Sequence, residues 1–346
     1  MIAGDPSTAV KIPAQRVASG WLRMAVIAVW IGALTLTMQF WVGENTIYSP
    51  ELVQKREQMH QMLLENRSPA GGWGSVGANG TNIRVVSVFG VDAIHRVTGI
   101  SVSNGYFVLD TVMLFVALAL LLYYLSRLER GVYTILGVLF VGTVLPLTYQ
   151  QFYFHPWDRL SLVCWISLLA LLHARKLMWF AVLLPFAVAV KYDVMLLPGL
   201  YFFAETFRVR RVTKDGLGWT IGLLGIGIGT YVVLGLLRPG GSAPASMITQ
   251  LTSNLRVVSQ MHLRWPPLLG FAVPATLTVI AFLRCDPWAR ACAVFGLLLM
   301  VPFALQSNLS EFRAHMPVLI LLAPAALTGV RALLGDGAPP QRVIVR

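Results

Sequence analysis

Chemistry-bearing residues gather in a few short stretches of an otherwise apolar chain. Tyr149 to Arg159, YQQFYFHPWDR, sets five aromatic residues around His155, Asp158 and Arg159. An aspartate beside a histidine can orient and polarise it, as a general base requires. His155 and Asp158 stand three apart, so a helix would place them on one face. Pro156 favours a helix start instead. Asp158 would then cap the next helix within a belt of interfacial aromatics. Both arrangements remain open on sequence alone.

Four further stretches carry comparable groups. Lys191-Tyr192-Asp193 interrupts the apolar region from Leu177 to Phe203. Charge at membrane depth is costly and points by default to function, although a tight turn could let Lys191 and Asp193 neutralise each other. Glu44 and Glu51 flank Tyr48-Ser49-Pro50, and Arg84, Asp92, His95 and Arg96 follow later in the same segment. Arginine matches phosphate oxygens in pairs, so Arg84 and Arg96 suit a phosphate or a lipid headgroup. The loop 238–267 brings Asn254, Arg256 and His262. In SNLSEFRAHMP, Asn308 and Glu311 fit a capping box, leaving Arg313 and His315 for an anionic group.

The elements that must position these groups are membrane helices. Hydrophobic residues make up 56% of the 346 and charged residues 12%, with mean hydropathy +0.69. Soluble domains carry about 25% charge. The net charge of +12 is spread over short loops between apolar runs. Membrane orientation requires that pattern, and it argues against a nucleic-acid partner. Cys164, Cys285 and Cys292 lie in or beside apolar runs with no CxxC pair, which gives neither a disulfide framework nor a zinc site.

The hydropathy pattern predicts an all-α, polytopic transmembrane bundle of about ten spans in one domain, residues 1–346. The spans are Trp21–Val42, Phe107–Leu125, Val132–Thr148, Leu160–His173, Leu177–Val190, Val194–Phe207, Leu217–Leu237, Leu268–Leu283, Ala291–Leu305 and Met316–Leu334. The fourth, fifth and sixth are short for a bilayer, and the count rests on them. With both termini cytoplasmic, every short inner turn is basic: Arg127 and Arg130, Arg175 and Lys176, Arg208 to Lys214, Arg284 and Arg290. Residues 42–106 form a long extracytoplasmic loop, in which Pro50–Asn66 has the pattern of an amphipathic interfacial helix. The glycine-rich SPAGGWGSVGANGT after it lacks the lysine and preceding strand of a phosphate loop. His60, His95, His155, His262 and His315 all fall on the outer face, as do Glu44, Asp92, Asp158, Asp193 and Glu311. An outward-facing site would produce this asymmetry, and so would longer outer loops.

The long first outer loop with Glu44 and Glu51, the stretch FYFHPWDRLSL and the late SEFRAHMP together resemble the bacterial envelope-polysaccharide membrane proteins, in particular the C-type-fold glycosyltransferases. The paired acids usual in that family's first outer loop are absent. The resemblance implies a multi-pass protein of the cell inner or plasma membrane. It would move a sugar from a polyprenyl-phosphate donor to a glycan or lipid acceptor, with inversion. Glu44 or Asp158, with His155, would do the acid–base work. Arg159, Arg256 and Arg313 would hold phosphate, and Glu311, His315, Lys191 and Asp193 would line the substrate site. A divalent cation, Mg or Mn, could assist, though no ligand spacing demands one.

Two other classes compete. A membrane acyltransferase has a similar span number, but Trp21–Val42 contains no histidine. A transporter or lipid-linked sugar flippase would need polar residues along the spans, whereas here they gather toward one face.

Overall fold

The computed structural model describes residues 14–43, 50–66, 83–129, 131–147, 157–238, 251–256, 265–306 and 315–335. Glu44, His155, Glu311 and Arg313 lie outside these residues. So do the glycine-rich run and the expected capping box. The described chain is all-helical, 90% helix with no strand. In order come α1 (Ala14–Gly43), α2 (Pro50–Leu64), α3 (Val85–Thr98), α4 (Val102–Leu128), α5 (Val132–Leu147), α6 (Asp158–His173) and α7 (Leu177–Val190). A 3₁₀ turn (Tyr192–Leu196) leads into α8 (Pro198–Val209), followed by α9 (Lys214–Leu237), α10 (Trp265–Ala281), α11 (Pro287–Gln306) and α12 (Met316–Leu333).

Each expected span coincides with a helix, and the ends follow local chemistry. Ser101 caps α4 by accepting from the Asn104 N–H at 3.3 Å, and Thr213 caps α9 by accepting from Gly216 N–H at 3.1 Å. Gly99, at φ 73°, closes α3 with its N–H on His95 O. The sixth span starts later than hydropathy suggests. Proline lacks an N–H and suits the first helical position, so α8 begins at Pro198 and 3₁₀ turns fill the approach. Nor does Asp158 cap α6: Trp157 takes that place without a side-chain bond, and Asp158 is the first helical residue. Pro50–Leu64 is helical as its pattern predicts, and it buries Met59 and Leu63 against α3 and α4.

Among the described residues, four helices or helix segments are long and apolar enough to cross a membrane: Leu22–Gln39 of α1, and α4, α9 and α12. Shorter apolar helices lie at Val132–Pro146, Leu177–Val190, Leu269–Arg284 and Pro287–Phe303. Burial ranks them. In α12, 72% of the apolar window is buried, against 22% in α1 and 17% in α9. Thus α12 is a core helix packed on α10, α11, α5 and α6, while α1 and α9 turn apolar faces outward. The exposed leucines, valines and isoleucines of α9 suit lipid rather than water.

The chain order brings one set of helix ends together. The start of α6 meets the ends of α1 and α7, the end of α9 meets α2, and the end of α11 meets the start of α12. The opposite end is closed by its own pairs. Arg331 of α12 donates to Glu129 at 2.8 Å, and Trp288 of α11 donates to Tyr124 OH at 2.9 Å. Arg175 and Arg208 both pair with Glu205.

Candidate functional site

The charged residues at the α6 start form a buried cluster. Asp158 and Arg159 open α6, Lys191 ends α7 in extended backbone, and the 3₁₀ turn after it carries Asp193. Lys191 Nζ donates to Asp158 Oδ1 at 3.2 Å and lies 3.5 Å from Asp193 Oδ2. All three side chains are about nine-tenths buried. Lys191 and Asp193 therefore do more than neutralise each other across a turn, since Lys191 also ties α7 to α6. Arg159, 1% exposed, donates from Nη2 to Gln39 Oε1 at 2.6 Å and places Nε 3.7 Å from Asp110 Oδ1. That links the ends of α1 and α6 to a carboxylate inside α4. The Arg84 guanidinium sits 4.9 Å over the Trp157 ring and 5.0 Å over the Tyr192 ring. Cation–π contact of this kind holds a guanidinium in place when partly desolvated.

Burial and charge pull against each other here. Burial pushes the Asp193 carboxyl up from the ordinary carboxylate range, against the pull of Lys191 and Arg84. For Lys191 burial works downward, but the combined attraction of Asp158 and Asp193 prevails and its pKa is raised. Lys191 is thus a held cation, not a base. The Trp165 indole faces the Asp193 carboxylate. Even so, neither Trp165 Nε1 nor Asp193 Oδ1, both buried, closes a hydrogen bond among the described residues.

A second layer lies on the loop side. Arg56 of α2 donates to Ser103 Oγ at 2.8 Å, and His60 Nδ1 shares a 2.8 Å hydrogen bond with Tyr106 OH. His60 Nε2 lies 3.8 Å from Asp92 Oδ1, whose other oxygen accepts from Arg96 at 2.8 Å. Burial holds His60 below its ordinary value of 6.5, against the pull of Asp92 and with help from nearby His95. The folded form then binds its proton less readily than the unfolded chain does. The resulting stability is full above about pH 6.5 and is lost as pH falls through the lowered folded value. Thermal melts from pH 7.5 to 5 are expected to slope downward for the native chain and less steeply for His60→Gln. Parallel slopes would contradict this assignment.

Four of the expected site residues, Asp158, Arg159, Lys191 and Asp193, therefore meet. Arg256 lies exposed on a helical stretch over 251–256. His315 is buried at the start of α12, its ring 5.5 Å from that of Phe303. Gln39, Asp110 and Trp165 join the cluster without having been singled out. Asp110 had a signal, since it is the lone acid inside the apolar run Phe107–Leu125. Among the described residues no group of three or more His, Cys, Asp or Glu side chains is placed to hold a metal ion. The nearest candidates, Asp158 and Asp193, have an ammonium between them, so they do not fit a Mg or Mn site.

The fold and this cluster define a helical bundle with the make-up of a membrane protein and a charged, buried site at one end. No protein-family model, no curated protein and no solved structure matches the chain.

Proposed function

We propose that the chain is an integral membrane glycosyltransferase. It transfers a sugar from a polyprenyl-phosphate donor to a glycan or lipid acceptor at the extracytoplasmic face. The observation that carries this is the cluster of Asp158, Arg159, Lys191 and Asp193 at the helix ends that meet α2 and α3, the helices of the long loop. Its ten helical crossings leave both termini cytoplasmic, in a cell inner or plasma membrane. In the reaction the acceptor oxygen attacks the anomeric carbon. The bond from that carbon to the phosphate oxygen breaks, and the phosphate leaves with the electron pair. A carboxylate takes the acceptor proton, from Asp158 or from Glu44 on the loop. Arg84 and Arg159 stabilise the phosphate charge as it develops. His155, Glu311, Arg313, Arg256 and His315 contribute to donor and acceptor recognition.

Asp110 favours a second reading, a lipid-linked sugar flippase. It is a charge inside a membrane helix, as a translocation path would need. It is paired to Arg159 at the same end as the rest, and a path would need more such groups further along the helices.

Native mass spectrometry of the gently purified chain tests the proposal. A polyprenyl phosphate is expected to co-purify with the native protein and to be lost from Arg84→Gln. Asp158→Asn should keep the lipid and lose transfer. Retention of bulk phospholipid alone, unchanged by Arg84→Gln, would rule the proposal out. Lipid retention with full transfer by Asp158→Asn would move the base to Glu44.

A further inference from the structure

The end opposite the buried cluster carries a basic patch that the proposed reaction does not use. Two turns build it, Ala174–Lys176 between α6 and α7 and Arg210–Thr213 between α8 and α9. They are drawn together by Glu205, which is buried and accepts from both Arg175 and Arg208. Each guanidinium gives one edge to Glu205 and stays about half exposed, at 49% and 51%. Lys176, Arg210, Arg211 and Lys214 around them are exposed. Against these six cations stand only Glu205 and Asp215 in the same segments.

The backbone supplies a second, independent observation. Arg175 has φ 59° and Arg210 φ 57°. That left-handed conformation costs a residue with a side chain roughly 1–2 kcal/mol, and helix ends of this kind ordinarily use glycine. Both turns keep arginine where glycine would fold more easily. A structural need for the side chain explains Arg175, which pairs with Glu205. No such pair explains Arg210.

Below the patch, α7 and α9 run side by side. Tyr192, just past the end of α7, has its ring 5.5 Å from that of Tyr231, late in α9. Their first turns therefore lie at the same end as the basic turns. There α7 exposes Trp179 and Val182, and α9 exposes Leu217 and Trp219. Cations at headgroup level above tryptophans and open apolar surface match an anionic phospholipid, which carries phosphate charge and two acyl chains together. A soluble anion would have no use for the apolar surface.

We infer that the α6–α7 and α8–α9 turns form a binding site for an anionic phospholipid, its phosphate held by Lys176, Arg210 and Arg211 and its chains laid along α7 and α9. The inference needs the membrane character of the chain but not the proposed reaction.

The test uses the full chain in lipid nanodiscs of phosphatidylcholine with and without phosphatidylglycerol. The variant Lys176→Gln/Arg210→Gly/Arg211→Gln leaves both partners of Glu205 in place. Phosphatidylglycerol is expected to raise the melting temperature of the native chain and to be retained in its native mass spectrum. In the triple variant that affinity is expected to fall by roughly a hundredfold, the surface attraction of three cations. Melting in phosphatidylcholine alone should be unchanged or slightly higher, because glycine relieves the left-handed backbone at position 210. Should the triple variant melt early even there, Arg210→Gly alone serves, since glycine relieves the backbone while removing one cation. Equal phosphatidylglycerol retention by native and variant chains would overturn the inference. So would a phosphatidylglycerol shift reproduced by inorganic phosphate, which would identify a free-anion patch.

Discussion

Replacing Lys191 with alanine is expected to destabilise the protein by about 3–5 kcal/mol, the range for breaking a buried ion pair by removing one partner. Asp158 Oδ1 at 3.2 Å and Asp193 Oδ2 at 3.5 Å would both lose their ammonium. The two carboxylates belong to different elements, α6 and the 3₁₀ turn. Removing Lys191 therefore leaves like charges facing each other inside the bundle and unties α7 from α6. Arg84 remains near Asp193, but its guanidinium is committed to the faces of Trp157 and Tyr192. A denaturant titration in mixed micelles measures the loss. Removing charge from the other side should restore much of it: Lys191→Met with Asp158→Asn and Asp193→Asn is expected to be far more stable than Lys191→Ala. If Lys191→Ala is as stable as the native chain, the ammonium is not holding this end together.

The second large effect sits at the core of the bundle, where α12 crosses α10. A Cβ added at Gly329 would lie 2.5 Å from the Leu277 carbonyl oxygen and 3.1 Å from Leu277 Cβ. The obstacle is backbone, so no rotamer change relieves it and the helices must part. Gly329→Ala is expected to cost roughly 1–3 kcal/mol, as overpacking does. At Gly222, on the outer face of α9, a Cβ meets nothing within 4 Å. Gly222→Ala should then be neutral or stabilising by up to about 1 kcal/mol through helix propensity. Side-by-side melts of the two variants give opposite signs. Equal effects would mean that α10 and α12 do not approach this closely.

How much of this was legible in the sequence depends on distance along the chain. Helix positions were, because apolar runs announce themselves locally, but the starts set by Ser101, Thr213 and Pro198 differ from the expected Phe107, Leu217 and Val194. The amphipathic pattern of Pro50–Asn66 was legible for the same reason. The cluster was not legible as a cluster. Asp158, Arg159, Lys191 and Asp193 stood out one at a time, but Arg159 meets Gln39 across 120 positions and Lys191 meets Asp158 across 33. No spacing rule reaches that far. Local reasoning left Asp158 open between a partner for His155 and a helix cap, whereas it is the first helical residue and pairs with Lys191. Asp110 was hidden in plain view, an acid in an apolar run whose partner lies two helices later. In α3 the sequence reading picked out only Asp92, His95 and Arg96, and the stretch VVSVFGVDAIHRVT is a helix packed against α4.

The pairing of Lys191 with Asp158 also bears on the order in which these helices assemble during synthesis. Asp158 and Arg159 leave the ribosome first. Arg159 finds Asp110 already delivered on α4, while the ammonium that ties Asp158 to α7 follows 33 residues later. The late lysine therefore makes α7 the closing piece of this end: α6 can pair with α4 as soon as both exist, and its link to α7 forms last.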